Sequence, residues 1–257
     1  MVDLHCHILP GIDDGPRTMT EALALAQAQV EAGTSTVVAT PHVHWDYPMN
    51  SARRICRHVA ALRGALDAAD IALEVRAGAE CALTRAVDLE DDELEELRLG
   101  DSPWLLVECP FSGASTSFEA ALGSLARRGY RILLAHPERI VGFSNDRELL
   151  RRLIRGGMAG QLTAGSLAGR FGKEVQRFSW WLLEERLVHL VASDAHSVDR
   201  RPPGMASPLQ AVGLDAAWIE YLVVQTPADL LAGDALGTPP AGPVRAKRLS
   251  NLLRRAS

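Results

Sequence analysis

Two histidines near the start of the chain are the first candidates for chemistry. His5 and His7 flank Cys6 at the end of a short predicted strand, residues 2–5. Side chains alternate between the two faces of an extended strand, so His5 and His7 point the same way and Cys6 points to the other side. Two imidazoles on one face are typical of half of a metal site.

The loop after these histidines adds two adjacent carboxylates. Residues 10–16 are rich in turn-forming glycine, proline and aspartate, and they carry Asp13 and Asp14. We take Asp14 as the candidate ligand. Asp13 competes for that role, or else accepts hydrogen bonds from the loop backbone.

The same arrangement, a strand followed by a ligand, recurs along the chain. β-Branched or apolar composition predicts strands at 36–39, 73–79, 104–107, 131–135 and 189–192. The residues at or just beyond their ends are His42, Glu80, Glu108, His136, Asp194 and His196. A weaker strand, predicted at 158–162, has no strong ligand at its end. Six of the seven proposed strands therefore end in a histidine or a carboxylate.

Helices are predicted between these strands. Capping residues, stop signals and helical spacing of apolar residues place them at about 18–32, 51–69, 90–97, 118–128, 146–155, 172–186 and 216–224. Strands that alternate with such helices predict an α/β fold with a parallel sheet, and seven units in this length favour a closed barrel. In such barrels the chemistry gathers at the C-terminal ends of the strands, where the candidate ligands lie.

Composition bounds the class of protein. The chain has 257 residues, 47% of them hydrophobic, with a formal net charge of −5, so we expect a full core and no nucleic-acid partner. We find no signal peptide and no apolar run of the ~18 residues that a membrane span needs, and we predict a cytoplasmic protein. The four cysteines lack C-x-x-C spacing and are interpreted as reduced thiols, and Cys6, Cys81 and Cys109, which each follow a ligand, are predicted to pack on the opposite face.

Nine side chains are thus candidate metal ligands: His5, His7, Asp14, His42, Glu80, Glu108, His136, Asp194 and His196. One ion takes about four to six ligands, so nine groups shared among three ions leave positions open for water and substrate. Imidazole and carboxylate donors without thiolate suit Zn, Mn or Fe. His189, in mid-strand, is instead interpreted as a hydrogen-bonded core histidine.

Taken in order, these residues resemble the motifs of the PHP (polymerase and histidinol phosphatase) superfamily. The matching segments are Asp3-Leu4-His5-Cys6-His7, Thr40-Pro41-His42, Gly78-Ala79-Glu80, His136-Pro137-Glu138-Arg139 and Ser193-Asp194-Ala195-His196. The run from His7 to Pro16, the His-Pro-Glu-Arg run and Arg201-Pro202-Pro203 resemble more narrowly its CpsB/CapC-like branch, the bacterial protein-tyrosine phosphatases linked to capsule and exopolysaccharide loci. The resemblance covers nearly the whole chain.

The resemblance implies a distorted (β/α)7 TIM-like barrel, the PHP fold, as one phosphatase domain over residues 1–257. The pattern of apolar and basic residues separately predicts a basic helical tail at about 243–257. It also implies three divalent ions, with Mn the leading candidate and Fe or Zn as alternatives. The implied ligand sets are His5, His7, Glu80 and Asp194; Glu80, Glu108 and His136; and Asp14, His42 and His196. Arg139 and Arg201 match the positions that grip the phosphate.

The implied reaction is hydrolysis of phosphotyrosine, with the C-terminal tail of a bacterial tyrosine kinase that regulates capsule synthesis as the expected substrate. Two metal ions ~3.5–4 Å apart bind a bridging hydroxide that is nucleophilic at neutral pH. A tyrosyl leaving group, with a pKa near ~10, depends little on a general acid. If an acid is used, His44 and Asp199 are candidates by position. The sequence predicts no oligomeric state.

Four other functions compete with this one. A thiol-based phosphatase needs an arginine six residues after its cysteine, and here those positions hold Ile12, Leu62, Val87 and Ser115. An amidohydrolase-like C–N hydrolase typically needs a bridging lysine where this chain has Glu80. A phosphatase for histidinol phosphate or another small phosphomonoester keeps the same metals, and a non-catalytic metal-binding scaffold binds them without turnover.

Overall fold

The structure is a computed structural model that describes residues 1–111, 115–242 and 244–245, with only the backbone described at 115 and 116. The basic tail predicted at about 243–257 therefore lies outside the described residues, apart from Val244 and Arg245. None of the helices in the described ranges combines the length and the apolar content that a membrane span needs.

Parallel strands form the centre of the fold. They are β1 (Val2–Cys6), β2 (Thr36–Ala39), β3 (His42–Val43), β4 (Glu74–Ala77), β5 (Glu80–Ala82), β6 (Trp104–Glu108), β7 (Arg131–Ala135), β8 (Ala159–Thr163) and β9 (Leu190–Ala192). Hydrogen bonds join them in the orders β1-β2-β4 and β3-β5-β6-β7-β8-β9. Because β3 continues β2 and β5 continues β4, each of these pairs is counted as one interrupted strand of the barrel. The seven barrel strands counted in this way, here called staves, form the predicted TIM-like barrel.

The break in the third stave corrects one prediction. The sequence predicts a single strand over 73–79 that ends before Glu80, but β4 stops before Gly78 and Glu80 begins β5. A Cβ atom on Gly78 would lie 2.7 Å from Val38 Cγ1, so only glycine allows the chain to pass this close. His42 likewise begins β3, where it pairs directly with Glu80 across the sheet.

Helices lie between successive staves, as predicted, and the last three of the described helices follow β9. They are α1 (Met19–Glu31), α2 (Ala52–Ala68), α3 (Leu83–Ala86), α4 (Asp91–Glu96), α5 (Ser115–Arg127), α6 (Val141–Asn145), α7 (Arg147–Arg155), α8 (Ala164–Leu167), α9 (Lys173–Glu184), α10 (Ala206–Ala211), α11 (Ala216–Glu220) and α12 (Thr226–Ala232). The side chains of Thr18, Ser51 and Asp146 cap α1, α2 and α7. A π-helix at 221–225 joins α11 to α12. The helical segment that begins with α11 therefore continues to Ala232, beyond the predicted end near residue 224.

A bulge in β1 decides which side of the barrel His5 faces. The register between β1 and β2 shifts between Asp3 and Cys6. Leu4 belongs to the apolar cluster inside the barrel, whereas Cys6 belongs to the cluster between the barrel and the helices. The bulge therefore lets consecutive residues Leu4 and His5 both turn inward before alternation resumes at Cys6.

A buried aspartate closes the barrel between its first and last strands. Asp3 accepts hydrogen bonds from the backbone N–H of His5 and of Ser193, from the Ser193 hydroxyl, and from the Gln29 side chain at 2.7 Å. Cys6 then forms a parallel bridge with Ala195. Since Asp3 is fully buried, this network fixes the ends of β1 and β9 against each other.

The cysteines take the packing role that the sequence predicts. Cys6, Cys81 and Cys109 are buried in the apolar cluster between the barrel and its helices, on the face opposite the candidate ligands that precede them. Cys56 is exposed on α2, and none of the four cysteines forms a disulfide.

Candidate metal centre

The predicted ligands meet at the mouth of the barrel, the end formed by the C-terminal ends of its strands. A cavity of about 560 Å³ opens there. Its walls include seven predicted ligands and both predicted phosphate-binding arginines: Asp14, His42, Glu80, Glu108, His136, Asp194, His196, Arg139 and Arg201. The other two predicted ligands, His5 and His7, are fully buried and contact the ligands that line this cavity.

Potential ligand atoms from all nine predicted residues fall into four groups, and within each group these atoms lie within 4.8 Å of one another. The groups are His7, Asp14, His42 and His196; His5, His7 and Glu80; His5, His136 and Asp194; and His42, Glu80 and Glu108. His5, His7, His42 and Glu80 each belong to two groups. The distances therefore join the nine residues into one continuous cluster, and their division into three sets stays a prediction.

Two hydrogen bonds orient the buried histidines. His5 Nδ1 lies 2.9 Å from Gln161 Oε1, and His7 Nδ1 lies 2.7 Å from Asp13 Oδ2. Both partners are acceptors, so each Nδ1 carries a proton, and Nε2 is the ring nitrogen that each histidine can offer to a cation. A carboxylate or amide oxygen behind a histidine is the usual way in which proteins orient a metal-binding imidazole.

The donor set fits a bound cation. His5 Nε2 and His7 Nε2 lie 3.2 Å apart, and carboxylate oxygens of Glu80 and Asp194 lie within 3.8 Å of both nitrogens. Burial opposes positive charge on His5, yet Glu80 and Asp194 raise its pKa to about 9. Lone pairs and carboxylates that converge in a buried space require a positive charge among them, which divalent metal ions supply.

Glu80 lies at the centre of the cluster. Its carboxylate oxygens are 3.4 Å from His5 Nε2, 3.3 Å from His7 Nε2, 3.0 Å from His42 Nδ1 and 2.8 Å from His136 Nε2. Burial favours its neutral form, but the charges of His5 and His42 outweigh burial and hold its pKa well below the ordinary value. A carboxylate with four imidazole neighbours suits the bridging role that the resemblance implies.

The outer part of the cluster is formed by Asp14, His42 and His196. Asp14 Oδ1 is 3.3 Å from His196 Nε2 and 3.5 Å from His42 Nε2. The Asp14 side chain is 48% exposed, whereas its partners are largely buried. This carboxylate reaches from the loop after β1 to histidines that follow β2 and β9, so an ion held here would face the open cavity.

His136 and Glu108 occupy the opposite side of the cavity. His136 Nε2 is 3.5 Å from Glu108 Oε1. Burial and the nearby charge of Glu80 raise the pKa of Glu108 to about 7. His136 has φ +30°, which is uncommon for a residue other than glycine. Strand alternation would send residue 136 outward with Leu134, and this left-handed turn brings its imidazole into the mouth instead.

Asp194 joins the metal cluster to the two arginines. Its Oδ1 is 3.4 Å from His5 Nε2, while its Oδ2 accepts hydrogen bonds from Arg139 Nη1, at 2.8 Å, and from Arg201 Nη2. Arg201 Nη1 also lies 3.0 Å from His196 Nε2. Both predicted phosphate-binding side chains therefore present their charge beside the candidate ligands.

Comparison with known proteins agrees with this arrangement. Residues 1–232 match the sequence model of the family described as "Capsular polysaccharide synthesis, CpsB/CapC". The chain belongs to the CpsB/CapC family. The resemblance to this branch that its motifs indicated is therefore confirmed.

Two relatives of this CpsB/CapC chain are named tyrosine-protein phosphatases. YwqE from Bacillus subtilis is 33% identical over 250 residues, which cover 97% of this chain and 98% of YwqE. CpsB from Streptococcus agalactiae is 28% identical over 226 residues, which cover 84% of this chain and 90% of CpsB. A solved structure, from work describing YwqE of B. subtilis and CpsB of Streptococcus pneumoniae as metal-dependent tyrosine phosphatases, superposes with a TM-score of 0.84 at 33% identity, over 96% of this chain and 100% of that one.

Three residues support this CpsB/CapC site. Asp13 accepts from the backbone N–H of Gly15, which confirms the predicted alternative of a bond to the loop backbone, and it also orients His7, a role that the sequence did not indicate. Gln161 lies in β8, the strand for which no strong ligand was found; a polar residue within that apolar run was the available signal. Glu138 accepts hydrogen bonds from Thr163 N and Ser166 Oγ, which anchors the short 3₁₀ turn that carries Arg139.

Proposed function

We propose that this chain is a metal-dependent protein-tyrosine phosphatase, a phosphoric monoester hydrolase that releases phosphate from phosphotyrosine. One observation carries the proposal: the Asp194 carboxylate faces candidate metal ligands with one oxygen and accepts from Arg139 and Arg201 with the other. A cluster of metal ligands next to two guanidinium groups is suited to a phosphoryl group. Metal ions held by the ligands and the guanidinium groups would both place positive charge beside the phosphoryl oxygens. The name of the relative YwqE supports the same activity.

The proposed ligands are those that the resemblance implies, shared among three divalent ions: His5, His7, Glu80 and Asp194; Glu80, Glu108 and His136; and Asp14, His42 and His196. Imidazole and carboxylate donors suit Mn, with Fe or Zn as alternatives. Bound ions of this kind polarise phosphoryl oxygens and lower the pKa of water. The proximity of Asp14, His42 and His196 supports the third set, and that of His5, His7 and Glu80 supports the first.

The arginines orient the substrate in this proposal. Arg139 and Arg201 donate hydrogen bonds to the phosphoryl oxygens and balance the charge that develops as the ester bond breaks. Asp194 and the ring of Phe171 hold both guanidinium groups before substrate arrives, Arg139 at 4.7 Å and Arg201 at 6.0 Å from the ring centroid. The departing tyrosyl oxygen has a pKa near ~10 and so needs little protonation from the protein.

The proposed substrate is a phosphotyrosine-bearing protein, with the C-terminal tail of a bacterial tyrosine kinase as the leading candidate and the cytoplasm as the place of reaction. The family description, capsular polysaccharide synthesis, supports a substrate in that process. An amidohydrolase-type reaction is disfavoured, because Lys173 and Lys247 are the only lysines of the chain and Glu80 occupies the centre of the cluster. A thiol mechanism is disfavoured because Cys6, Cys81 and Cys109 are buried, and the exposed Cys56 has Leu62 in place of an arginine six residues later.

The test is turnover by purified protein with Mn present, on a phosphotyrosine peptide, the matching phosphoserine peptide and histidinol phosphate in parallel. We expect the phosphotyrosine peptide to be hydrolysed fastest and a chelator to stop the reaction. Preference for histidinol phosphate would overturn the tyrosine assignment. Chelator-resistant turnover that orthovanadate inhibits would overturn the metal mechanism, and bound metal without turnover of any substrate would favour a scaffold.

A further inference from the structure

Large apolar side chains are exposed mainly around the mouth of the barrel. Among the described residues six such side chains are exposed, and all six lie in segments that follow the C-terminal end of a strand: Trp45, Met49, Val87, Phe111, Val141 and Val198. Exposed apolar side chains cost solvation free energy, so their concentration at the edge of a site indicates contact with a ligand.

Two aromatic rings at this edge stack on candidate metal ligands. The Tyr47 ring lies parallel to the His42 ring, at 5.7 Å between centroids and 7° between planes. The Phe111 ring lies parallel to the His136 ring, at 5.8 Å and 8°. Both Tyr47 and Phe111 line the cavity that contains the candidate metal centre.

The two rings stand on different sides of Glu80. His42 Nδ1 lies 3.0 Å from Glu80 Oε2, and His136 Nε2 lies 2.8 Å from Glu80 Oε1. Each ring therefore stacks on a histidine that contacts a different oxygen of the Glu80 carboxylate. Both rings line the same cavity as Glu80, so they are available to a ligand that enters it.

The depth of the centre sets the shape of such a ligand. The side chains of His5, Glu80, His136 and Asp194 are at most 2% exposed. In phosphoserine the phosphate is attached close to the peptide backbone, whereas in phosphotyrosine a flat ring separates the two. The phosphate of phosphotyrosine therefore reaches this depth while its peptide stays outside the rim.

We propose that Tyr47 and Phe111 form an aromatic slot that binds the ring of phosphotyrosine and thereby selects aryl over alkyl phosphates. The inference rests on the proposed function and adds the residues that determine specificity. Phe111 is 45% exposed and is the ring more available to a substrate. Aromatic pairs with centroids ~4.5–7 Å apart contribute enough to change affinity by about 2- to 10-fold each.

The slot is tested by calorimetric titration of the Mn-loaded protein with phenylphosphonate, methylphosphonate and inorganic phosphate. These probes share a phosphoryl headgroup, only the first carries a ring, and neither phosphonate is a substrate. We expect phenylphosphonate to bind about 10-fold more tightly than methylphosphonate to the wild type. Phe111→Ala and Tyr47→Ala should each reduce that ratio by about 2- to 10-fold while phosphate affinity changes less than about 2-fold.

Matched variants separate stacking from structural damage. Tyr47→Phe keeps a ring and should keep the ratio, whereas Phe111→Leu keeps apolar cover without a ring and should lower it. Val87→Ala removes an exposed apolar side chain outside the cavity and should leave all three affinities unchanged. Thermal melting of each variant verifies that it is folded.

Two outcomes overturn the slot. One is equal affinity of the wild type for the two phosphonates. The other is equal weakening of the binding of all three probes in Phe111→Ala, which would mean that the substitution disturbs His136 and Arg139 instead of removing a contact with the ligand ring. The titrations need no turnover, so selective binding of phenylphosphonate by a protein that does not hydrolyse phosphotyrosine peptides would overturn the proposed function and not the slot.

Discussion

The two ends of the barrel each hold a histidine next to a strand, fully buried at one end and partly buried at the other, and the two differ in what they face. His136 follows β7 at the mouth, and His189 precedes β9 at the opposite end, here called the base. Burial lowers the pKa of each to about 4. His136 contacts Glu80 and Glu108, whereas His189 Nδ1 accepts a hydrogen bond from the backbone N–H of Gly160. A low histidine pKa therefore does not mark a site, and carboxylate partners do.

The arginines at the two ends differ in the same way. The base has a cavity of about 380 Å³, and none of the described residues that line it is Asp or Glu. Arg131 lines that cavity and lies over the Trp104 ring at 5.7 Å. At the mouth, Arg139 and Arg201 share one oxygen of Asp194. Arginine at the base packs on apolar surface, while arginine at the mouth is held beside a carboxylate where an anion can replace one of its hydrogen bonds.

The largest effect is expected from truncating the two histidines. His136→Ala should lower kcat/KM on a phosphotyrosine peptide by more than about 100-fold, because even a partner that only orients a metal ligand contributes about 10- to 100-fold. His189→Ala should lower stability and leave the activity per folded molecule within about 2-fold, because it removes a packed group remote from the mouth. Steady-state kinetics, corrected for the folded fraction by urea titration, measures both. Equal loss of activity per folded molecule would contradict the distinction between the two ends.

The arginines give the next largest effect. Arg139→Lys and Arg201→Lys keep the charge but lose the planar fork, so each should lower kcat/KM by about 100-fold, as expected for the loss of charge-assisted hydrogen bonds. The matched control, Arg131→Lys at the base, should leave kcat/KM unchanged. If the control variant loses as much activity as Arg201→Lys, the mouth arginines have no special role in binding phosphate.

A smaller effect is expected from the carboxylate behind His7. Asp13 accepts from His7 Nδ1 and from the backbone N–H of Gly15 and His42. Asp13→Asn leaves one acceptor oxygen for three donors, so the affinity for Mn should fall by about 10-fold. Competition with a chelating dye measures that affinity, and Asp67→Asn, at an exposed position on α2, is the control. Unchanged affinity in Asp13→Asn would show that His7 needs no such partner.

The residue types and their order along the chain are what the sequence could predict. The repeated pattern of a strand followed by a ligand predicts the barrel and the residues at its mouth, because the C-terminal ends of parallel strands lie at one edge of the sheet. The capping side chains of Thr18 and Ser51 likewise predict the start of α1 and α2, because capping is a local interaction. Local patterns of this kind need no knowledge of the neighbouring strands.

The features that orient the side chains of the candidate ligands could not be predicted in this way. Alternation places His5 and His7 on one face, but the bulge between Asp3 and Cys6 decides that this face is the inner one. The left-handed backbone of His136 and the contact between Gln161 and His5 depend on strands far away in sequence. Such features are set by packing of the whole barrel, and a single sequence carries no periodic signal for them.

The smallest predicted effect concerns acid stability at the base. Burial lowers the pKa of His189 from 6.5 to about 4, so the folded state resists protonation that the unfolded chain accepts. Above pH 6.5 His189 is neutral in both states and adds no pH dependence. As the pH falls from 6.5 toward 4, only the unfolded chain binds the proton, and stability is lost over that interval.

Replacing His189 should remove this part of the acid sensitivity. At about pH 5.5 protonation of His189 in the unfolded chain lowers the free energy of unfolding of the wild type by about 1 kcal/mol. When the pH is lowered from about 7.5 to about 5.5, the free energy of unfolding of His189→Gln should therefore fall by about 1 kcal/mol less than that of the wild type. Urea unfolding of both proteins at the two pH values measures the difference, and metal-free samples keep ligand binding out of the comparison. Parallel losses in the two proteins would mean that His189 titrates normally in the fold, in which case burial at the base would not distinguish it from an exposed histidine.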